Sequence, residues 1–172
     1  MAAIAILGAE STGKSTLAAA LATRHQTLWV PEYLREFVDM HQRTPHEDEQ
    51  FLIASRQVAR EDTFARDANR WLFCDTTPLM TALYSQFYFG RVDAALAALA
   101  ASRRYALTFV TAPDTPWIAD GLQRESADVR DTVHQCLIAQ LMSTGSGFHL
   151  LSGTLEKRLV EADRLLEISA GK

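Results

Sequence analysis

Features typical of disulfide-rich and zinc-binding proteins are scarce in this sequence. Its 172 residues include two cysteines, Cys74 and Cys136, which form no C-x-x-C pair and have no histidine at metal-ligand spacing. The five histidines show neither metal-ligand spacing nor an H-x-G-H pattern. A disulfide framework or a cysteine-based metal site is therefore not indicated. We expect both cysteines to be reduced and buried, in a cytoplasmic protein.

Excess basic charge and long apolar segments are also lacking. The chain has 17 lysines and arginines against 21 aspartates and glutamates, for a formal net charge of -4. A general nucleic-acid binder normally carries a basic face, so this class is not expected. No apolar stretch is long enough to span a bilayer. The short N-terminal apolar run lacks a basic lead, so no secretory signal is predicted.

The stretch GAESTGKST, from Gly8 to Thr16, is the most specific pattern present. A short apolar run, residues 2–7, precedes it and is typical of a buried parallel strand. Strong helix formers follow, from Ser15 to Ala22. The spacing fits G-x-x-x-x-G-K-[ST] between a strand and a helix, which is the context that a phosphate-binding loop requires.

Each residue type that defines this loop pattern has a physical role. Gly8 and Gly13 let the backbone curl, so that N–H groups and the helix dipole act on one anion. Lys14 would reach the β- and γ-phosphates of ATP, and Ser15 would bind Mg²⁺. The other loop residues expected to contact the nucleotide are Glu10, Ser11, Thr12 and Thr16.

Apolar runs and helical patterns alternate along the rest of the chain. Strands are predicted at about residues 3–7, 27–30, 71–74, 105–110 and 148–152. Helices are predicted at about residues 14–24, 31–41, 46–69, 77–89, 93–102, 126–143 and 154–166. In the third helix, Phe51, Ile53 and Ala54 are expected to face inward. This order predicts a single α/β domain, residues 1–172, with a five-stranded parallel sheet and helices on both faces.

Ligands of such sheets bind beyond the carboxyl ends of the strands, where two acidic residues stand. Asp75 follows a compact apolar strand and suits a Walker B role on Mg²⁺, or a hydrogen bond to a substrate hydroxyl. It could instead cap the next helix. Glu32 ends the second strand and could act as a base towards an attacking hydroxyl, or simply favour a helix dipole. Arg35 could pair with Glu32 or with phosphate.

Arginines and aromatic residues supply further candidates. Arg124 and Arg130 follow the fourth strand, where a lid could bring them to the transferring phosphate. For Arg130 a plain surface role is an equal alternative. Trp117 lies in a proline-rich loop, 112–117, and is a candidate for stacking on a ligand ring. Tyr84 and Tyr88 have helical spacing, which favours a place in the core.

Several of these motifs together resemble the ribosylnicotinamide kinase domain of the NadR-type proteins of bacterial NAD metabolism. The resemblance covers most of the chain, from Gly8 to Arg130. Its more specific parts are Glu10 within the loop and the block of Trp117, Asp120 and Arg124. The other matching segments are residues 31–36 and 73–76.

The resemblance implies a phosphotransferase with the three-layer P-loop NTPase fold of nucleoside and nucleotide monophosphate kinases. It would transfer the γ-phosphate of ATP to the 5′-hydroxyl of nicotinamide riboside, with Mg²⁺. Asp75 and Glu32 would share the metal and hydroxyl roles. The substrate side would also include Tyr33, Arg35, Trp117 and Asp120. The lid would carry Arg124 and Arg130. The adenylyltransferase domain typical of this group, with its H-x-G-H signature, has no counterpart here, so adenylyl transfer and DNA-linked regulation are not expected.

Two alternatives to this kinase remain open. A kinase domain on its own could act on another nucleoside. A nucleotide-driven switch or ATPase, acting through a protein partner, would share the phosphate loop. No N-K-x-D guanine-reading motif is present. The aromatic and acidic residues from Trp117 to Arg124 favour an acceptor site over a switch.

Overall fold

A parallel sheet lies at the centre of the part of the chain that the computed structural model describes, residues 1–118 and 126–171. Its strands are β1 (Ala2–Leu7), β2 (Leu28–Val30), β3 (Trp71–Asp75), β4 (Leu107–Thr111) and β5 (His149–Leu151). They are hydrogen-bonded in the order β2-β3-β1-β4-β5, and every pair is parallel. The five-stranded parallel sheet predicted from the sequence is confirmed.

Helices connect these strands. They are α1 (Lys14–Arg24), α2 (Tyr33–His41), α3 (Gln50–Phe64), α4 (Pro78–Phe89), α5 (Ala94–Ser102), α6 (Ala127–Ser143) and α7 (Leu155–Ala170). Among the described residues, no helix is both long enough and apolar enough to cross a membrane. The prediction of one helix over 46–69 is wrong at both ends, since α3 begins at Gln50 and ends at Phe64. The carboxylate of Glu49 accepts the His46 N–H at 2.7 Å and a short 3-10 turn, 47–49, precedes α3.

The apolar core occupies both faces of the sheet. Ile4 and Ile6 of β1 face a cluster that contains residues of α1 and α7, including Leu17 and Leu166. The alternate residues of β1, Ala5 and Leu7, face a second cluster, which contains Met80, Val133 and Leu137 of α4 and α6. Because side chains alternate across a strand, a strand covered on both faces is apolar throughout. This explains why the run before the phosphate loop has no polar residue.

Phe51 and Cys136, both predicted to be buried, are exposed. Phe51 of α3 is 42% exposed, whereas Ile53 and Ala54 are buried as expected. Cys136 of α6 is exposed, and Cys74 is buried; both are free thiols. Each exposed residue adjoins an inward one on a helix, and a step of one residue turns a side chain by about 100°.

Glu61 of α3 is a buried carboxyl group. It is 1% exposed. The hydroxyl of Tyr105 donates to its Oε2 at 2.9 Å, and Arg103 Nη2 lies 2.9 Å from the same oxygen. Burial raises the pKa of Glu61 from 4.5 to about 7, against the opposing effect of Tyr105 and Arg103.

Replacing Glu61 by glutamine should change how stability depends on pH. A carboxyl whose pKa is raised by folding binds more protons in the folded state, so its stabilising contribution is lost as pH rises through about 7. At about 1.4 kcal/mol per pH unit, the loss is roughly 3 kcal/mol. We expect the free energy of unfolding of Glu61→Gln, relative to wild type, to rise by about this amount between about pH 4 and about pH 8. Urea unfolding across that range measures it, and parallel pH profiles would contradict the prediction.

Candidate active site

Residues that follow strands β1, β2, β4 and β5 line one cleft of about 1180 Å³. The strand order puts β2 and β3 on one side of the loop after β1, and β4 and β5 on the other. We call the first side the acceptor wing; its lining residues are Glu32, Leu34, Arg35, residues 42–47, Gln50, Tyr84, Tyr88 and Phe89. We call the other side the donor wing; its lining residues are Thr115, Pro116, Ile118, Gly153, Thr154, Leu155 and Arg158. The phosphate loop lies between the wings.

The phosphate loop curls tightly against strand β4. Gly13 has φ 84° at the position before α1, and Ser11 has φ 55°. Thr12 donates from its hydroxyl to Ala9 O at 2.8 Å, and its oxygen lies 2.6 Å from the hydroxyl of Thr111. Gly8 leaves no room for a side chain, since an added Cβ would lie 2.2 Å from Thr111 Oγ1. The loop shape thus depends on glycine at position 8 and a hydroxyl on β4.

Gly8→Ala should therefore disrupt nucleotide binding. The new methyl group would overlap Thr111 and push the loop away from its seat on β4. Overpacking of this kind typically costs about 1–3 kcal/mol of stability, and we expect ATP affinity to fall at least about tenfold as the loop N–H groups lose their alignment. Thermal unfolding and ATP titration measure the two effects. Gly147→Ala is the matched control, because nothing lies within 4 Å of a Cβ added there and its backbone is outside the left-handed region. Unchanged ATP affinity in Gly8→Ala would contradict this account.

Lys14 and Ser15 stand at the start of α1, facing the cleft. The Lys14 ammonium donates to Ala9 O at 3.0 Å, which keeps it beside the loop. Ser15 donates from its hydroxyl to Asp75 Oδ2 at 2.5 Å. The structure thus joins the loop hydroxyl to the acidic residue at the end of β3, two groups that are 60 residues apart in sequence.

Asp75 is the last residue of β3 and is 1% exposed. It does not cap the following helix, because Thr77 holds the position before α4. Among the described residues, its Oδ1 has no hydrogen-bond partner. Burial, and next the charge of Glu32, raise the pKa of Asp75 to about 6. A carboxylate oxygen kept dry and unbonded beside a hydroxyl is a donor set that suits a hard divalent cation.

Glu32 faces Asp75 from the start of α2. It occupies the position before the helix, yet its side chain makes no capping hydrogen bond. Its Oε1 instead accepts from the Thr76 hydroxyl at 3.2 Å. The structure therefore brings the two predicted carboxylates to one place, with Lys14 and Ser15 on the loop beside them.

Other predicted site residues lie elsewhere. Tyr33 is absent from the cleft wall, and its ring packs under the Arg60 guanidinium at 4.8 Å. The ring of Trp117 is half-buried and also outside the wall, which Thr115, Pro116 and Ile118 form in this segment. Asp120 and Arg124 lie outside the described residues. Tyr33 and Trp117 remain predictions as substrate contacts.

Arg130 of α6 supports the segment after β4 rather than lining the cleft. It is 8% exposed, and its Nη1 donates to Thr115 O at 2.8 Å. Thr115 in turn donates to Ser11 O at 3.0 Å, and Ser11 Oγ accepts the Ile118 N–H at 3.0 Å. This chain of hydrogen bonds ties the phosphate loop to the segment that leads into the predicted lid. In this arrangement Arg130 acts on the loop indirectly.

The expectation that Tyr84 and Tyr88 belong to the core is wrong for Tyr88, which is 52% exposed. The two rings stack at 6.0 Å with 8° between their planes, and both line the acceptor wing. Tyr84 also packs against the apolar cluster of α4 and α6. The available signal in the sequence was the pair of tyrosines on one stripe of a helix that is otherwise apolar. This signal indicates a ligand contact only once the fold is known, because α4 borders the cleft.

Sequence reasoning missed two parts of the site. Arg158 of α7 is 3% exposed and donates to Thr12 O, to Ala112 O and to Asp114 Oδ1. These contacts join the phosphate loop to the segment that follows β4. In the sequence, the one signal for such a role of Arg158 was its position soon after Gly153, which follows the predicted fifth strand. The second missed part is the segment 42–47, which lines the acceptor wing although it has no regular pattern in sequence.

Comparison with known proteins gives a family match. Residues 3–158 match a family model described as an AAA domain (AAA_28). The trifunctional NAD biosynthesis/regulator protein NadR of Salmonella typhimurium is 32% identical over 143 residues, 81% of this chain and 35% of that protein. The chain thus spans about a third of the length of the curated relatives it matches. The resemblance to NadR-type proteins inferred from the motifs is confirmed.

Solved structures show the same fold. NadR protein in complex with NR matches with a TM-score of 0.83 at 23% identity, over 99% of this chain and 52% of that one. A NadR complex with NAD and AMP-PNP matches with a TM-score of 0.79 at 21% identity, over 99% and 50%. Deoxyadenosine kinase from M. mycoides matches with a TM-score of 0.68 at 11% identity, over 96% and 98%. These likenesses confirm the P-loop NTPase fold of nucleoside-kinase type.

Proposed function

This chain belongs to the AAA domain family, and we propose that it is an ATP- and Mg²⁺-dependent phosphotransferase that phosphorylates the 5′-hydroxyl of a nucleoside, with nicotinamide riboside as the first candidate. The observation that carries the proposal is the placement of Lys14, Ser15, Asp75 and Glu32 around one point between the two wings of the cleft. Phosphoryl transfer needs positioning and charge stabilisation more than covalent chemistry. These four residues supply both.

The residues present fit Mg²⁺. The Ser15 hydroxyl and the unbonded Oδ1 of the buried Asp75 are oxygen donors next to the phosphate loop. When bound there, Mg²⁺ would neutralise part of the charge on the phosphates of ATP. Protein groups would do the rest. The loop N–H groups and Lys14 would hold the β- and γ-phosphates and stabilise the charge that develops on the transferred group.

The geometry supports different roles for the two carboxylates, which the sequence left open. Asp75 is hydrogen-bonded to Ser15, so we assign it to the metal side. Glu32 opens towards the acceptor wing and touches Thr76 instead. We assign it as the base that accepts the proton of the attacking hydroxyl, a role that requires hydrogen-bond reach to that hydroxyl.

Two arginines in or beside the acceptor wing are already paired with carboxylates, which favours a nucleoside over a nucleotide as the acceptor. Arg43 is held by Glu49 through two hydrogen bonds of 2.6 and 2.7 Å, and Arg91 pairs with Glu47. An arginine already paired in this way is poorly available to bind the phosphate of a nucleotide acceptor. The stacked Tyr84 and Tyr88 offer an aromatic wall, and Glu32 adds negative charge. Flat rings with positive charge, as in nicotinamide riboside, suit such a surface.

The relatives support the same reading. A solved NadR structure is a complex with NR, and another holds AMP-PNP, an ATP analogue. Deoxyadenosine kinase and thymidylate kinases share the fold. A kinase acting on a different nucleoside has the same support from the phosphate loop and the carboxylates. The acceptor is therefore the part of the proposal that the experiment must settle.

An acceptor panel tests the proposal. ADP release from ATP and Mg²⁺ is measured alone, with nucleosides including nicotinamide riboside, and with nucleoside monophosphates. We expect nicotinamide riboside to stimulate the rate and monophosphates to have no effect. Stimulation by a different nucleoside would retain the kinase and replace the acceptor. Slow hydrolysis that no acceptor changes would overturn the kinase in favour of a nucleotide-driven switch.

A further inference from the structure

Gln57 is a buried polar side chain that the reaction scheme above does not use. It lies on α3 and is 3% exposed. Its Oε1 accepts the backbone N–H of Tyr33 at 2.8 Å, and its Nε2 donates to the backbone carbonyl of Asp75 at 3.3 Å. Both peptide groups adjoin the candidate catalytic carboxylates. One amide thus connects the first turn of α2 to the end of β3.

Thr76 makes the complementary contact from the other side. Its hydroxyl donates to Glu32 Oε1 at 3.2 Å, and its N–H donates to Ile6 O at 3.0 Å. Its φ is 69°. A β-branched residue rarely adopts this left-handed conformation, so the surrounding contacts must impose it. The effect is to turn the Thr76 hydroxyl towards Glu32 immediately after Asp75 leaves the strand.

Together these contacts close a ring. It runs from the Glu32 carboxylate through the Thr76 hydroxyl, along the backbone to the Asp75 carbonyl, across the Gln57 amide to the Tyr33 N–H, and back to Glu32. We call this ring the carboxylate frame. Like charges brought close together repel, so a pair such as Glu32 and Asp75 keeps its separation only if the backbone that carries it is fixed.

We propose that Gln57 and Thr76 are positioning residues, which hold the Glu32 carboxylate at a fixed separation from Asp75 for phosphoryl transfer. The inference rests on the proposed kinase function. It assigns to each residue an effect on the chemical step and not on ATP binding. Neither side chain is part of the phosphate loop, and Gln57 does not line the cleft.

The first test replaces Gln57 with methionine, which is similar in length and cannot form either hydrogen bond. Removal of an outer hydrogen-bond partner typically lowers activity about 10–100-fold. We expect kcat for the nucleoside to fall by about tenfold or more, with KM for ATP unchanged, when rates are normalised to the fraction of protein that binds ATP. The matched control is Glu61→Gln, which changes another buried polar side chain on α3 and contacts Arg103 and Tyr105 instead. It should leave kcat at the wild-type value.

Thr76 provides a second, independent test. Thr76→Val keeps the branched shape and removes the hydroxyl, and it should lower kcat in the same way. Thr76→Ser restores the hydroxyl, and it should restore the rate. Equal rates for the valine and serine variants would overturn the role of this contact.

A double substitution separates positioning from general weakening of the fold. Since Gln57 is proposed to act through Glu32, Gln57→Met should add little to the loss of kcat already caused by Glu32→Gln. A purely structural effect would lower the rate by the same factor in both backgrounds and would overturn the frame. A wild-type protein without nucleoside-dependent turnover would overturn the proposed function and the frame with it. Wild-type turnover that Gln57→Met leaves unchanged would overturn the frame alone.

Discussion

Lys14→Ala is expected to lower phosphoryl transfer by about a hundredfold to a thousandfold, the loss typical of removing one group that stabilises charge in a transition state. The Lys14 ammonium lies beside the phosphate loop, 3.0 Å from Ala9 O. From there it can turn to the β- and γ-phosphates. The other lysine among the described residues, Lys157, is exposed and outside the cleft wall. Steady-state kinetics with the preferred acceptor measure the loss.

The same substitution should leave the fold intact. The only hydrogen bond recorded for the Lys14 side chain among the described residues is the one to Ala9 O, and a typical hydrogen bond contributes about 1 kcal/mol. Urea unfolding should therefore show at most a small decrease in the free energy of unfolding. Lys157→Ala is the matched control, with wild-type activity expected. Full activity in Lys14→Ala would exclude the phosphate loop as the site of transfer.

The second large effect concerns the two carboxylates, which different substitutions should distinguish. Glu32→Gln should lower turnover by about a hundredfold or more, the range for loss of an acid–base group. Asp75→Asn should have a similarly large effect at limiting Mg²⁺, since charge stabilisation by a bound metal contributes several kcal/mol. Asp75 Oδ2 accepts a hydrogen bond from Ser15, and its Oδ1 has no hydrogen-bond partner among the described residues. Because we assign these oxygens to the metal side, Asp75→Asn should lose Mg²⁺ affinity. Raising Mg²⁺ should then restore part of the activity of Asp75→Asn.

Glu32→Gln should not respond to Mg²⁺ in this way. Its carboxylate faces the acceptor wing, so its loss removes a proton acceptor and leaves the metal side intact. Mg²⁺ titrations of the initial rate for the two variants test the assignment. Rescue of Glu32→Gln by Mg²⁺, with no rescue of Asp75→Asn, would reverse the two roles.

The parts of this protein that could be predicted from sequence are those with local causes. The strand, loop and helix around Gly8–Thr16 follow from a run of apolar residues, two glycines and helix formers that are adjacent in the chain. The helix α1 begins at Lys14 and ends at Arg24, as predicted. Asp75 and Glu32 could be singled out from the sequence because each stands at the end of an apolar run. Parallel strands bring their carboxyl ends together, so the two carboxylates were expected at one edge of the sheet.

The parts that escaped prediction depend on contacts between distant elements. Gln57 lies on a helix whose pattern gives no reason to single it out, and its two partners are 24 and 18 residues away. Arg158 reaches the phosphate loop across 146 residues. Tyr88 lies on an apolar helix, and only the position of α4 beside the cleft decides that its ring is exposed. Periodicity indicates which face of a helix is apolar but not what the other face meets.

The most direct measurement of the central claim follows the phosphate itself. The protein is incubated with Mg²⁺, nicotinamide riboside and ATP labelled in its γ-phosphate, and the products are separated and identified by mass spectrometry. The account predicts that the label appears in nicotinamide mononucleotide, that ADP forms in equal amount, and that Lys14→Ala strongly lowers the rate of both. Label found solely in inorganic phosphate, at a rate that no nucleoside changes, would contradict it.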